Sequence, residues 1–340
     1  MTAPTREKPD GTPPGLHSHE RITEVAAAVF LRPAADMGRT GRQEFLLAQR
    51  PPGKAYAGYW EFPGGKREPG ETIIETCRRE LKEELGVDCE WIEPWITREF
   101  IYPHAHVRIR FFRIRRWRGE LHPHEHTGLY WLGLGESPEV SPILPANGPI
   151  LEALALPTTY AITCAEFNGV EAEMHRVHLA LEAGCRLFQL RDKSLPEDLR
   201  ARLAHDLMAM ARPYQAQVLV NESFALARQW GADGIHLTSA QLLDLNERPD
   251  FALVGASCHN AAELEKAVQL GVNFAVLGAV LPTKTHPDAH PLGWDHFAHL
   301  VENCPIPVFA LGGIRPGMQD LAAEHGAHGI SLMRSWPGQH

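Results

Sequence analysis

From residue 159 onward the chain keeps one rhythm: a short apolar run, a polar break, then a stretch of helix length. The runs are Tyr160–Thr163, Arg186–Leu190, Val218–Asn221, Gly234–Leu237, Leu253–Ala256, Phe274–Leu277, Val308–Leu311 and Gly329–Leu332. Short continuous apolar strands alternating with helices call for a parallel sheet covered by those helices. Eight such units within about 180 residues are enough to close a compact (β/α)8 TIM barrel. The overall class is therefore α/β.

Upstream of a linker near Leu156–Thr159 the pattern differs. Ile22–Leu31 (ITEVAAAVFL) reads as a buried strand and Glu44–Gln49 as its partner. A Gly-containing loop over Gly53–Gly65 precedes a helical pattern from Glu71 to Leu85. His106–Trp117 alternates apolar and basic residues, as a half-exposed strand does. Leu129–Leu132 is a further strand, and Pro149–Leu156 a short closing helix. The expected division is a disordered lead at 1–20, a first domain at 21–156 and the barrel at 157–340.

Composition narrows the partners. A formal net charge of −9 disfavours a broad grip on DNA or RNA. A small anion remains possible where a bound metal reverses the local sign. Cys77, Cys89, Cys164, Cys185, Cys258 and Cys304 show no C-x-x-C spacing, which suits reduced thiols. No stretch approaches the roughly 18 apolar residues of a membrane span, and the first residues lack the apolar core of a signal peptide. The expected compartment is the cytoplasm.

The chemistry concentrates in GKREPGETIIETCRRELKEELGV, Gly65 to Val87. Glu80, Glu83 and Glu84 stand at i, i+3 and i+4, so a helix puts three carboxylates on one face. Such a face is either a solvated acidic stripe or a seat for a hard cation. Mg²⁺ takes oxygen ligands and bridges substrate phosphates; Mn²⁺ is the alternative occupant. Gly65, Glu71, Arg79 and Gly86 in fixed register favour the cation seat. Arg79 is expected to orient the carboxylates, and Gly64–Gly65 to let the backbone approach the metal.

The segment resembles the Nudix box at every fixed position, and residues 22–156 resemble the MutT type, which removes oxidised guanine nucleotides. Further matches are Phe62-Pro63-Gly64-Gly65-Lys66, Tyr102-Pro103, Trp117-x-Gly119-Glu120 and Pro145-Ala146-Asn147. The resemblance implies an α/β/α sandwich with a mixed sheet and Mg²⁺-dependent hydrolysis of a nucleoside triphosphate to monophosphate and pyrophosphate. It implies Gly64, Glu80, Glu83, Glu84 and Glu125 at the metal, with Glu80, Glu84 or Glu125 as base and Arg79 assisting. Arg50 would contact the nucleotide, Phe62 would pack on the base, and Asn147 would read the purine edge. Each has another reading: Phe62 as core, Asn147 as a helix cap, and His122, His124 and His126 beside Glu125 as a transition-metal cluster. The pattern is broken at Ala105, where a basic residue would be expected.

The barrel region resembles thiamine phosphate synthases and the thiazole tautomerase TenI. The matching words are Gln189-Leu190-Arg191-Asp192-Lys193, Val220-Asn221-Glu222, Gly255-Ala256-Ser257-Cys258-His259, Leu281-Pro282-Thr283-Lys284-Thr285 and Leu311-Gly312-Gly313-Ile314. Arg191, Lys193, Asn221, Thr283, Gly312 and Gly313 would bind a phosphate or thiamine-related ligand, and His259 is either an acid–base group or a buried structural histidine. Glu222 stands where an Asp metal ligand would be expected. Thr238–Gln241 lacks a second acid, and His286 replaces a lysine. Synthase, tautomerase and non-catalytic ligand-binding readings all stay open. For the whole chain the leading expectation is hydrolysis of 8-oxo-dGTP, with hydrolysis of a thiamine-related diphosphate and a ligand-sensing barrel as alternatives.

Overall fold

The computed structural model describes residues 22–34, 43–103, 105–283 and 290–336. Its first domain contains β1 (Thr23–Pro33), β2 (Gln43–Gln49), β3 (Trp60–Glu61), β4 (Gly64–Lys66), α1 (Ile73–Leu85), β5 (Asp88–Tyr102), β6 (Ala105–Arg118), β7 (Gly128–Gly133) and α2 (Gly148–Leu154). The sheet runs β3-β2-β1-β6-β5, with β4 also on β1 and β7 on β2. β1 is parallel to β6 but antiparallel to β2 and β4, so the sheet is mixed. This explains the unbroken apolar run: Ala26, Ala28 and Phe30 pack towards α1 with Leu81 and Leu85. Ala27, Val29 and Leu31 pack on the opposite face with Ile150 and Ala153 of α2. A strand covered on both sides has no polar face to show.

Helix α1 starts at Thr72, whose hydroxyl accepts from Glu75 N–H while Glu75 reaches back to the Thr72 backbone, a capping box. It stops at Gly86, held at φ 77°. A Cβ there would meet the His124 ring at 2.7 Å. Cys77, Leu81 and Leu85, spaced four residues apart, form the buried stripe. Each leucine contributes about 1.5–3 kcal/mol.

Two features depart from the sequence expectation. The loop expected over residues 53–65 contains the short strands β3 and β4. The stretch after the helix, to which no element was assigned, is the 15-residue strand β5. Its register against β6 slips between Cys89 and Trp91, between Trp91 and Ile92, and between Pro94 and Thr97. Bulges of this kind break the inward–outward alternation by which a strand is recognised.

The second domain is a closed parallel barrel of β8 (Thr159–Ile162), β9 (Leu187–Leu190), β10 (Gln217–Asn221), β11 (Gly234–Leu237), β12 (Leu253–Cys258), β13 (Phe274–Gly278), β14 (Val308–Leu311) and β15 (Gly329–Leu332). Every apolar run of the sequence lies on one of these strands. Tyr160, Leu187, Leu219, Leu253, Phe274 and Phe309 form one interior cluster, while the outward-facing residues pack under the helices. Gly255 makes room for the large interior groups, since a Cβ there would fall 2.5 Å from the Phe274 ring and 2.8 Å from His236 Nδ1.

β5 and β6 dock on the barrel at the N-terminal ends of its strands. Arg113, with its side chain 2% exposed, donates to the carbonyls of His328 (2.8 Å) and Ala327 (2.7 Å) and lies 3.2 Å from Glu93. Burial pushes its pKa down to about 10, against the opposing effect of Glu93. Trp95 stacks on His328 and donates its indole N–H to Nδ1 at 3.3 Å. Thr97 N–H reaches the Cys304 carbonyl at 3.1 Å, and Arg98 the Pro305 carbonyl at 2.9 Å. All these barrel residues precede β14 or β15. The candidate ligand residues follow strands and lie at the opposite end. All six cysteines are free and buried. Among the described residues no helix is long and apolar enough to cross a membrane.

Candidate functional site

α1, β4 and the loop before β7 bring together most of the acidic residues singled out in the sequence. Glu84 is buried, 5% exposed, and its Oε2 accepts the Gly64 N–H at 2.9 Å. Burial pushes its carboxyl up to about 7, with Glu61 and Glu80 adding to the effect and His126 and Gly64 opposing it. Burial also raises Glu80, and Arg79 opposes it. Gly64 and Gly65 leave no room for side chains. A Cβ on Gly64 would meet the Ala26 carbonyl oxygen at 2.1 Å, and one on Gly65 the Glu80 carboxylate at 2.2–2.4 Å. Gly65 is thus what lets the Glu80 carboxylate approach the backbone of β4, while Gly64 lets that strand sit close to β1.

Arg79 organises the rest. Its Nε donates to Glu71 at 2.6 Å and its second amino group to Glu71 and the Lys66 carbonyl, both at 3.1 Å. The remaining nitrogen spans Glu80 at 2.9 Å and Glu83 at 3.1 Å. This guanidinium brings Glu71 down to about 2, assisted by the Glu68 N–H and the Thr76 hydroxyl. Glu83 is half-exposed. Glu125, on the other loop, pairs with Lys54 at 2.9 Å, and the Lys54 ammonium lowers its pKa.

These residues fit a hard divalent cation in donor type: every group is a carboxylate oxygen or a backbone carbonyl. Glu84 also lies beside two other carboxylates in a site where burial disfavours its charge, a deficit a cation would offset. Among the described residues no three His, Cys, Asp or Glu side chains form a ready-made metal group. Arg79 gathers Glu71, Glu80 and Glu83, and Lys54 pairs with Glu125. The alternative histidine cluster does not form among the described residues either: His126 turns inward while His122 stays exposed.

The wall beyond Glu84 carries residues that the motif did not point to. Glu61 takes both of its oxygens to one amino group of Arg50, at 2.6 and 2.5 Å, and Arg50 Nε binds the Ala55 carbonyl at 2.8 Å. Arg50 thus holds Glu61 and the loop 51–59. His126 is buried with Nε2 3.8 Å from Glu61, and its Nδ1 has no hydrogen-bond partner. Tyr102 lies nearby, its hydroxyl pushed up to about 12 by burial first and then by Glu61. Glu61 was missed because it belongs to no spaced acidic pattern, and His126 was singled out only for the alternative histidine cluster, not as a neighbour of Glu61. Their only sequence signal is adjacency to Phe62 and Glu125.

Two expected base contacts separate here. Phe62 is 4% exposed and packs against Phe45 and Phe111. Asn147 occupies the cap position before α2, yet its side chain makes no capping bond. It is 3% exposed and its amide nitrogen has no partner. Ala105 is half-buried opposite Tyr102 at the β5–β6 turn.

At the C-terminal end of the barrel, Lys193 pairs with Glu222 at 2.5 Å. Gln241, in the stretch without a second acid, closes a capping box with Thr238 and donates to the Glu222 carbonyl at 2.7 Å. Asn221 donates to the His236 carbonyl at 3.2 Å, and Arg191 N–H to the Thr163 hydroxyl at 3.0 Å. His236, buried inside the barrel, bridges Tyr160 (3.2 Å) and Ser257 (2.9 Å). Burial, then Arg191 and Lys193, bring its pKa down to about 3. His259 is not buried: its ring is 57% exposed and bonds Glu263 at 2.9 Å beside a helix N-terminus. The buried-histidine reading therefore fails, because the residue lies past the end of β12. Gly312 and Gly313, at φ 97° and 70°, pack on the segment 279–282. Thr283 ends that described stretch, while Lys284, Thr285 and His286 lie outside the described residues.

Comparison with known proteins agrees with this two-part layout. Residues 25–154 match the family model of the NUDIX domain, and residues 159–336 that of thiamine monophosphate synthase. A thiamine-phosphate synthase of Saccharophagus degradans is 34% identical over 183 residues, 52% of this chain and 84% of that protein. A putative thiamine-phosphate synthase 2 of Aquifex aeolicus is 33% identical over 181 residues, 52% of this chain and 96% of that protein. Among solved structures, a MutT NUDIX hydrolase from Burkholderia pseudomallei shares 27% identity, with a TM-score of 0.34, 39% of this chain and 98% of that chain. The chain belongs to the thiamine monophosphate synthase family through its barrel and carries a NUDIX hydrolase domain ahead of it.

Proposed function

We propose that the N-terminal domain hydrolyses purine nucleoside triphosphates with Mg²⁺ or Mn²⁺. The favoured substrate is 8-oxo-dGTP, cleaved to 8-oxo-dGMP and pyrophosphate, a nucleotide-pool sanitising role. The observation that carries the reading is Glu84, buried on the Gly64 N–H beside Glu80 and Glu61 without a cation of its own. Glu80, Glu83, Glu84, Glu125 and the Gly64 carbonyl would hold the metal. Once bound, it neutralises phosphate oxygens and makes a coordinated water more acidic. Gly64 fixes one oxygen of Glu84, leaving the other for the site. Glu80, Glu84 or Glu125 takes the proton from the attacking water as the phosphoanhydride P–O bond breaks and pyrophosphate leaves. Arg79 keeps Glu80 and Glu83 on the same side of α1.

Asn147 supports the purine preference. Its unpartnered amide nitrogen is a donor and its oxygen an acceptor, a pair that can tell the oxidised N7 edge from the ordinary one. In the barrel, Arg191, Lys193, Asn221, Thr283, Gly312 and Gly313 are the proposed contacts for a thiamine-related phosphate. The fusion favours a second reading, in which the hydrolase acts on a thiamine-related diphosphate and the barrel serves as synthase, tautomerase or sensor.

Product analysis separates the two. The chain is incubated with Mg²⁺ and 8-oxo-dGTP, dGTP or thiamine diphosphate, beside a Glu84→Gln control. Preference for 8-oxo-dGTP that weakens in Asn147→Ala supports the first reading. Cleavage of thiamine diphosphate in preference to both nucleotides replaces it with the second.

A further inference from the structure

Lys54 and Glu125 are 71 residues apart in sequence, yet their side chains meet at 2.9 Å. Each comes from a loop whose base is tied down. Loop 51–59 is fixed by Arg50 on the Ala55 carbonyl and by Gln49 on the Gly58 carbonyl at 3.1 Å. Glu125 sits between His124, whose N–H binds the Glu84 carbonyl at 2.9 Å, and Thr127, whose N–H binds the Gln49 carbonyl at 3.0 Å. Both backbones are therefore held at the edge of the carboxylate site while both side chains, about half-exposed, are free to re-aim. An exposed ion pair of this kind is weak and yields readily to a stronger partner. A divalent cation on Glu125 is such a partner, and a phosphate is then the anion within reach of the released ammonium.

We propose that Lys54 is a positioning residue that holds Glu125 away from Glu80 and Glu84 until a metal–nucleotide arrives, and then transfers to the phosphate chain. This rests on the nucleotide reading given above. The exchange keeps charge matched at each stage: Glu125 trades an ammonium for the metal, and Lys54 trades a carboxylate for a phosphate.

The test uses the full chain with Lys54→Met, Lys54→Arg and Glu125→Gln. Without nucleotide, Mn²⁺ binding followed by paramagnetic resonance should tighten about two- to fivefold in Lys54→Met, the worth of the lost pair. That gain should vanish when Glu125→Gln is added. With nucleoside triphosphate, KM should rise about tenfold in Lys54→Met, as for loss of a charge-assisted contact, with kcat changed far less, and Lys54→Arg should recover most of it. Unchanged Mn²⁺ affinity in Lys54→Met overturns the proposal, as does a loss confined to kcat. If Mn²⁺ binding shifts as stated while no nucleoside triphosphate is cleaved, the nucleotide reading fails and the metal-dependent release of Lys54 stands.

Discussion

The two ends of the molecule treat their acidic groups in opposite ways. In the NUDIX domain carboxylates outnumber the cations that reach them, and Glu84 is kept in a buried position that disfavours its charge. At the mouth of the barrel the exposed Glu222 is matched by Lys193, and Gln241 stands in the stretch where a second acid would be expected. The two domains share a chain but hold their acids differently, and that difference is why the metal-dependent step is proposed for the first.

Substitutions at either site and at the contact between them can break or sharpen that contrast. Glu84→Gln keeps the shape of the buried group and removes its charge. It should lower kcat about a thousandfold, within the 10²–10⁴ range for a lost proton acceptor, while the folded state is preserved because a desolvated carboxyl is replaced by a neutral amide. Pyrophosphate release together with thermal unfolding measures both. A fall of less than tenfold would remove Glu84 from the chemistry.

The next largest effect lies at the domain contact. Arg113→Met leaves Glu93, 1% exposed, facing Arg115 alone and strips the Ala327 and His328 carbonyls of a donor. A loss of about 3 kcal/mol in urea unfolding is expected, and Glu93→Leu added to Arg113→Met should recover much of it. A loss below about 0.5 kcal/mol would mean that the buried pair does not join the domains.

His328 gives a pH signature of the same contact. Its pKa falls from the ordinary 6.5 to about 3, because of burial first and Arg113 next. The unfolded chain therefore takes up the proton before the folded one. Its contribution is complete above about pH 7 and drains away as pH falls from 6.5 towards 3, amounting to about 2 kcal/mol at pH 5. Denaturation at pH 5 and 7.5 measures the slope, and His328→Gln should flatten it. The smallest effect concerns the barrel: Arg191→Ala should weaken binding of thiazole phosphate about tenfold by calorimetry. If triphosphate hydrolysis falls in parallel, the two sites are coupled and the contrast between them is too sharp.

Legibility in the sequence followed the range of the interactions. The eight barrel strands could be read because each is a short apolar run bounded by helix, a local pattern with a local cause. The carboxylate face of α1 could be read because 3.6-residue periodicity alone puts Glu80, Glu83 and Glu84 together. β5 could not, since its bulges and the polar residues that bind the barrel obscure its alternation. Phe62 and His259 show the other limit: residue type suggested a role, and only the structure shows that Phe62 is buried against Phe45 and Phe111 while His259 is exposed.

By itself the sequence determined that a helix with three aligned carboxylates precedes a run of eight βα units, since both follow from spacing along one chain. Only the tertiary structure decided which cation holds each carboxylate, that Arg50 and His126 face Glu61, that Lys54 meets Glu125, and that β5 and β6 dock beside the N-terminal ends of β14 and β15. These depend on which surfaces meet after the chain has turned back on itself many times. Charge pairing and desolvation act through space over a few ångströms, and no distance along the sequence records that.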